Sequence, residues 1–259
     1  MNDRMRGRTV VVTGAGSGIG AGIAKGMARE GANIAVADLD FAAAERVADE
    51  IVADGGASIA THVDVAERST VVAGITATVK RFGRIDAYFN NAGMNKPMPF
   101  LEITEDNFMF IVKINALGVL IGIQEAAKQF LAQGSTGKIV NTASIAGRTG
   151  FPKFAPYSAA KAAVISLTQA GARDLAPHGI TVNAFAPGVV ATPLWTRLDA
   201  DLAAMGAADA GFDSMAADIL LGRAAQPADI VPTAIYLASS DSDYITGQVI
   251  PIEGGMILV

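Results

Sequence analysis

Thr9-Val10-Val11-Val12-Thr13-Gly14-Ala15-Gly16-Ser17-Gly18-Ile19-Gly20 is the stretch whose reading decides the fold. Its first five residues are β-branched and read as a buried strand. Gly14, Gly16, Gly18 and Gly20 follow directly, and from Ile19 to Glu30 the apolar spacing turns helical before stopping at Gly31. Glycine allows a tight turn and a close approach of backbone to a pyrophosphate. The first N–H groups of the helix and the positive end of its dipole then attract the anion. The spacing fits Thr-Gly-x-x-x-Gly-x-Gly better than a Gly-x-Gly-x-x-Ala run begun at Gly16. A glycine run alone says little, but one placed between the first strand and the first helix indicates a dinucleotide cradle.

The same alternation continues along the chain. Further strands are expected at Asn33 to Asp38, Ser58 to Val63, Ala87 to Asn90, Lys138 to Thr142, Thr181 to Ala186 and Gln248 to Ile252. Helices are expected at Ala42 to Ala53, Arg68 to Phe82, Glu105 to Ala132, Tyr157 to Ala176 and Pro227 to Ala238. Regular βα alternation with no linker predicts an α/β fold, one doubly wound parallel sheet flanked by helices, forming a single domain over residues 1–259. One irregular stretch, residues 192–222, is expected to be a substrate lid, or else a surface loop.

Bulk composition narrows the function. The chain has 259 residues, 51% hydrophobic and 17% charged, with net charge −5 and no cysteine. Disulfides, thiolate metal sites and a cysteine nucleophile are excluded. No basic stretch offers a footprint for nucleic acid or an anionic membrane surface. His62 and His178 stand apart from any ligand cluster, so no metal is expected. Met1 to Arg6 leads into the first strand without a signal-type apolar segment. The stretch Ile114 to Ile123 is short for a bilayer span and carries Asn115. The expected location is cytoplasmic.

Tyr157-Ser158-Ala159-Ala160-Lys161 carries the chemistry, with Ser144 thirteen residues before the tyrosine. Residues four apart on a helix share a face. An ammonium near a phenol favours the phenolate. Moving a tyrosine from about 10 toward about 7 takes roughly 4 kcal/mol of differential stabilisation. A tyrosine so tuned is a general acid/base, and a serine hydroxyl can hold the substrate oxygen beside it. The alternative for the pair is a surface ring packed on a lysine stem. Asp38, at the end of the second strand, can accept hydrogen bonds from ribose hydroxyls and repel a 2′-phosphate, and neither Ser17 nor Leu39 offers a countercharge. NAD is therefore favoured over NADP. Asp38 could instead cap the following helix, as could Asp40.

Thr13-Gly14-x-x-x-Gly18-Ile19-Gly20, Asn90-Asn91-Ala92-Gly93, Asn115, Ser144, Tyr157-x-x-x-Lys161 and Pro187-Gly188 occur in that order. Over essentially the whole chain this resembles the short-chain dehydrogenase/reductase family. The resemblance implies a Rossmann-type domain holding both cofactor and substrate, an NAD-linked reaction between a secondary alcohol and a ketone, and a homotetramer. It gives Tyr157 the proton transfer, Ser144 the substrate oxygen, and Lys161 the nicotinamide ribose and the tuning of Tyr157. Asn115 would place a water linking Lys161 to solvent, or is simply a buried amide in a kinked helix. Gly14, Ser17, Gly18, Ile19, Gly20, Asp38 and Leu39 would hold the adenosine and pyrophosphate. Asp64 and Val65 would meet adenine, unless Asp64 only caps a strand end. Asn91, Ala92 and Gly93 would shape the sheet end. Pro187, Gly188, Val190 and Thr192 would meet the carboxamide, unless Pro187-Gly188 is only a turn.

In look the chain is closest to family members acting on acetoin, 2,3-butanediol or sugar alcohols. Met94, Asn95, Ile145, Arg148, Phe151, Trp195 and Leu198 are the candidates to line the substrate pocket. One departure stands out. Some diol-acting relatives carry a glutamine directly after the catalytic serine, where this chain has Ile145. An apolar wall discriminates weakly, so 3-oxoacyl compounds or cyclic ketones are the alternative substrates. A non-catalytic dinucleotide-binding sensor is the reading from another class. The apolar tail Met256 to Val259 is expected to pack at a subunit contact or on its own subunit.

Overall fold

The apolar runs assemble edge to edge into one parallel sheet in the computed structural model, which describes residues 4–258. Met1, Asn2, Asp3 and Val259, which the readings of both termini included, lie outside the described residues. The strands are β1 (Thr9–Thr13), β2 (Asn33–Asp38), β3 (Ala57–His62), β4 (Ala87–Asn90), β5 (Gly137–Thr142), β6 (Ile180–Pro187) and β7 (Val249–Ile252), in the order β3-β2-β1-β4-β5-β6-β7. Register is set by apolar partners: Val12 of β1 lies opposite Val36 of β2 and Phe89 of β4. Strands β1, β4 and β5 are buried along their whole length. This is the environment that continuous β-branched runs demand, because helices cover both faces.

The helices are α1 (Gly18–Arg29), α2 (Phe41–Ala53), α3 (Arg68–Phe82), α4 (Glu105–Val112), α5 (Gly118–Ala132), α6 (Ala155–Leu175), α7 (Pro193–Ala204), α8 (Phe212–Ala217) and α9 (Pro227–Ala238). On one face Ile23 and Met27 of α1, Val47 and Ile51 of α2, and Ile230 and Leu237 of α9 pack on the sheet. On the other, Ile75 of α3, Ile123 and Phe130 of α5, and Val164 of α6 do the same. The chain winds outward from β1 to β3, returns to the centre at β4, and winds outward again. That reversal leaves a crevice beyond the carboxyl ends of β1 and β4, the place where ligands bind in open α/β sheets.

Two expectations change. The long helix over residues 105–132 is interrupted by a π-helical turn, Lys113–Leu117. Its cause is local: the Asn115 side chain donates to the Ile111 carbonyl at 2.9 Å, four residues back, competing with the backbone for that acceptor. By length and composition the combined helix is apolar enough to cross a membrane, yet half of it is buried inside this fold. The stretch 192–222 is also not irregular. It holds α7, a 3-10 turn at Ala208–Ala210, and α8. Its Ala, Met and Asp residues lack an apolar period, and Gly206 and Gly211 break it into short pieces. Lesser shifts are that α6 begins two residues before Tyr157, and that β3 starts and ends one residue early.

The tail folds back on its own chain. Leu221 N donates to Gly254 O at 3.1 Å, and Ile257 N to Glu253 Oε2 at 2.9 Å. Leu220, Leu221 and Leu258 nevertheless stay exposed.

Candidate active site

The turn after β1 is held in place by side chains at the neighbouring strand ends. Thr13 Oγ1 donates to Phe89 O at 3.0 Å and accepts from Asn91 N at 3.0 Å and Ala92 N at 3.2 Å. Asn91 Nδ2 reaches back to Thr13 O at 3.0 Å. Helix α1 begins at Gly18 with no side-chain cap, so its first N–H groups open into the crevice. Gly14 and Gly18 both have positive φ, 62° and 54°. A Cβ on Gly20 would lie 2.2 Å from the Gly14 carbonyl oxygen, so the turn and the helix close on each other only because that carbon is missing.

Asp38 and Asp40 divide the two roles that the sequence left open. Asp40 Oδ1 caps α2, accepting from Ala43 N at 3.0 Å. Asp38 turns inward instead: Oδ2 accepts from Gly16 N at 2.8 Å and Oδ1 from Asp40 N at 2.9 Å. Its carboxylate is thereby fixed beside the glycine turn at the edge of the crevice. Asp64 folds into a turn of its own, with Oδ1 accepting from Ala66 N at 2.9 Å.

The crevice is a cavity of about 380 Å³ lined by Gly14, Ser17, Gly18, Ile19, Gly20, Asp38, Leu39, Asp64, Val65, Asn91, Ala92 and Gly93, ending at Tyr157 and Lys161. A glycine cradle at a helix start, a fixed carboxylate at the tip of the second strand, and a long groove between them fit a nicotinamide dinucleotide. Sequence reasoning did not find Val63, Thr142, Leu194 or Arg197, which line the same cavity. Thr142 ends a predicted strand, a position where a signal was present. Arg197 lies in the stretch 192–222, expected as a lid, where only Thr192, Trp195 and Leu198 are singled out as site residues.

A smaller, mostly apolar cavity continues from the inner end and shares Ile19, Thr142, Tyr157, Thr192 and Leu194 with the first. Its walls include Asn95, Ser144, Ile145, Phe151, Trp195 and Leu198, as expected, and also Phe154 and Met215. Pro187, Gly188 and Val190 line this cavity rather than the larger one, and Thr192 stands at the junction. Two expectations are corrected. Met94 faces the dinucleotide crevice, not the small cavity. Arg148 is exposed and donates to Val249 O at 2.8 Å, bridging to β7.

Ser144, Tyr157 and Lys161 converge where the cavities meet. Lys161 is buried, donates to Thr142 O at 2.7 Å, and holds its Nζ 5.6 Å from the centre of the Tyr157 ring. Burial raises the Tyr157 phenol above its ordinary value, and the Ser144 hydroxyl beside it pulls it back. The phenol is therefore not lowered by the chain alone. Asn115 anchors the neighbouring loop, its Nδ2 donating to Met94 O at 2.8 Å and its Oδ1 accepting from Met94 N at 3.2 Å. A Cβ on Gly93 would fall 2.8 Å from Asn115 Oδ1 and 3.5 Å from Lys161 Nζ, so both groups crowd the same glycine. Among the described residues no group of three or more His, Asp or Glu is placed to hold a metal ion.

Burial pushes Lys161 down to about 8. Below that pH the fold carries the full cost of a buried ammonium. Between there and the ordinary lysine range the unfolded chain holds more protons than the native one, so native stability rises with pH. Relative to Lys161→Met, the wild type should gain roughly 2 to 3 kcal/mol between pH 7 and pH 10. Urea denaturation of both proteins at the two pH values measures this. A stability difference that does not move with pH would mean that the lysine titrates as in water.

The sequence comparisons agree with this geometry. The chain matches the family described as Enoyl-(Acyl carrier protein) reductase over residues 14–257. It is 40% identical over 254 residues to the diacetyl reductase [(S)-acetoin forming] of Staphylococcus epidermidis, covering 96% of this chain and 98% of that protein. It is 40% identical over 255 residues to the L-2,3-butanediol dehydrogenase of Corynebacterium glutamicum, with the same shares covered. The crystal structure of a short-chain type dehydrogenase/reductase from Mycobacterium marinum superposes with a TM-score of 0.91 at 34% identity, over 100% of this chain and 98% of the other. The chain belongs to the short-chain dehydrogenase/reductase family. It is an oxidoreductase that acts on CH–OH groups, interconverting a secondary alcohol and a ketone with a nicotinamide dinucleotide.

Proposed function

We propose that this enzyme is an NAD-dependent reductase and dehydrogenase of small vicinal oxygen compounds such as acetoin and 2,3-butanediol. The observation that carries the reading is the meeting of Ser144, Tyr157 and Lys161 at the junction of a dinucleotide-sized crevice and a small apolar cavity. The names of the two relatives above support the substrate class.

In this reading the bound dinucleotide supplies or accepts the hydride at its nicotinamide ring. Ser144 hydrogen-bonds the reacting oxygen. Tyr157 gives that oxygen its proton in reduction and takes it in oxidation. Lys161 holds the nicotinamide ribose and stabilises the phenolate, an effect that its own protonation governs. Asn115 fixes the Met94 loop beside Lys161 and keeps a route for a water to its ammonium. Gly14, Ser17, Gly18, Ile19 and Gly20 receive the pyrophosphate, Asp64 and Val65 the adenine. Pro187, Gly188, Val190 and Thr192 bound the nicotinamide end from the substrate side. Residues 192–222 act as the lid: Trp195, Leu198 and Met215 roof the small cavity, and Trp195 meets the Phe212 ring edge to face at 5.6 Å. The protein works in the cytoplasm as a homotetramer. Exposed Leu101, Phe108, Met109 and Phe110 on and near α4, with Leu220, Leu221 and Leu258, supply apolar surface for that assembly.

The choice of NAD rests on Asp38. Its fixed carboxylate would stand against a 2′-phosphate, and like charges so placed cost several kcal/mol. Asp38→Ser should lower the NAD-over-NADP preference on the order of 100-fold. The ratio of kcat/KM for the two cofactors measures it, and an unchanged ratio would remove Asp38 from cofactor choice. The substrate class is tested by NADH formation across 2,3-butanediol stereoisomers, sugar alcohols, cyclohexanols and 3-hydroxyacyl thioesters. Fastest turnover of a butanediol supports the reading; fastest turnover of a cyclohexanol or a thioester overturns it.

A further inference from the structure

Among the described residues, Asn95 is a polar side chain of the small cavity that is buried and has no partner. It is 7% exposed, its side chain makes no hydrogen bond to the rest of the chain, and its Oδ1 is buried with no partner. It lines the cavity that holds Ser144 and Tyr157. The other polar side chains there are hydrogen-bonded, or stand at the proposed reaction centre or at the junction with the larger cavity. Thr142 gives its carbonyl to Lys161 and its hydroxyl to Asn91 Oδ1 at 3.3 Å. The Thr192 hydroxyl makes no hydrogen bond either, but its Cβ and methyl carbon stand over Gly18 at the junction with the larger cavity. Ser144 and Tyr157 face the reacting oxygen. Buried amides in folded proteins are nearly always paired, so one that the fold leaves unpaired beside a ligand cavity points to a partner in the ligand.

We infer that Asn95 recognises a second oxygen on the carbon next to the reacting carbonyl, and so selects 1,2-diketones, α-hydroxy ketones and vicinal diols over simple ketones and alcohols. This inference rests on the dehydrogenase reading above. It also accounts for Ile145, which removes a polar partner from the position after the serine: the polar contact comes from Asn95 in the same cavity instead. A primary amide suits the task chemically. Its NH₂ donates to a neighbouring ketone oxygen and its carbonyl accepts from a neighbouring hydroxyl, so one side chain serves the diketone, the hydroxy ketone and the diol after a half-turn of the amide. A site built to pair a substrate group rejects analogues lacking it far more strongly than an apolar wall does.

The test compares acetoin with 2-butanone, which differ by one hydroxyl, as substrates for NADH-driven reduction. The wild type should prefer acetoin in kcat/KM. Asn95→Leu, which keeps the branching and removes both hydrogen-bonding groups, should lower that preference by about tenfold or more, with the loss mainly in acetoin turnover. Because both rates come from one preparation, the ratio is independent of how much of the variant folds. Asn95→Ser, which keeps a small hydrogen-bonding group, should fall between the two. An unchanged ratio, parallel losses on both substrates, or a wild type without preference overturns the role of Asn95 while leaving the dehydrogenase reading standing. A wild type that reduces neither compound, despite binding NADH, overturns the parent reading and this inference with it.

Discussion

Tyr157→Phe should lower kcat by roughly 10²- to 10⁴-fold, the range that a positioned general acid/base supplies. The substitution removes one oxygen and keeps the ring, so the packing of Tyr157 with Phe154 and Leu202 survives. NADH binding and thermal stability should therefore stay near wild type, which separates a chemical loss from a structural one. In the proposed reading the phenol carries the proton, and among the described residues it lines both cavities. Lys161 is turned to the Thr142 carbonyl, and Ser144 Oγ already accepts from Ala146 N at 3.1 Å. The chain alone leaves the phenol raised by burial. Its tuning thus belongs to the loaded site, where Lys161 and a cationic nicotinamide act together. Alcohol oxidation should accordingly rise with pH, since the phenolate is the base. Near-normal turnover by Tyr157→Phe would assign the proton to another group and remove Tyr157 from the chemistry.

Gly20→Ala should weaken dinucleotide binding on the order of 100-fold, although it adds a single methyl group far from the reacting atoms. The new carbon would sit 2.2 Å from the Gly14 carbonyl oxygen and 2.6 Å from Asn91 Nδ2. Neither is the free end of a flexible chain. The first is backbone, and the second is bonded to Thr13 O and Gly14 O. The turn must therefore move away from α1, carrying the pyrophosphate cradle with it. Overpacking of this kind also costs about 1–3 kcal/mol of stability. Calorimetric titration with NADH and a denaturant midpoint on the same protein measure both effects. Unaltered NADH affinity would show that the cradle lies elsewhere.

The fold was legible in the sequence because its strands are apolar on both faces and its first turn must be glycine. The Thr9 to Gly20 stretch marks the centre of the sheet, and the spacing of Ser144, Tyr157 and Lys161 marks three side chains that the fold brings together, both by local rules. What escaped the sequence came from competition between local and distant groups. Asn115 takes the Ile111 carbonyl from the helix backbone, and no periodicity reveals that the winner will be a side chain. Helix α7 is too poor in apolar spacing to declare itself, and α8 is only six residues long. Met94 and Arg148 were assigned by sequence neighbourhood, but the loop anchored by Asn115 turns Met94 to the cofactor side, and Val249 draws Arg148 outward. Asp38 and Asp40 were interchangeable as letters; only the fold distinguishes the cap from the inward carboxylate.

The most direct test of the central claim follows the hydride itself. NADH carrying deuterium at the nicotinamide C4 is incubated with the enzyme and diacetyl or acetoin, and the product is analysed by mass spectrometry. The account predicts one deuterium on the new carbinol carbon of a vicinal hydroxy ketone or diol, from one face of the ring, and a rate that collapses in Tyr157→Phe. Bound NADH that keeps its deuterium with both substrates would contradict it.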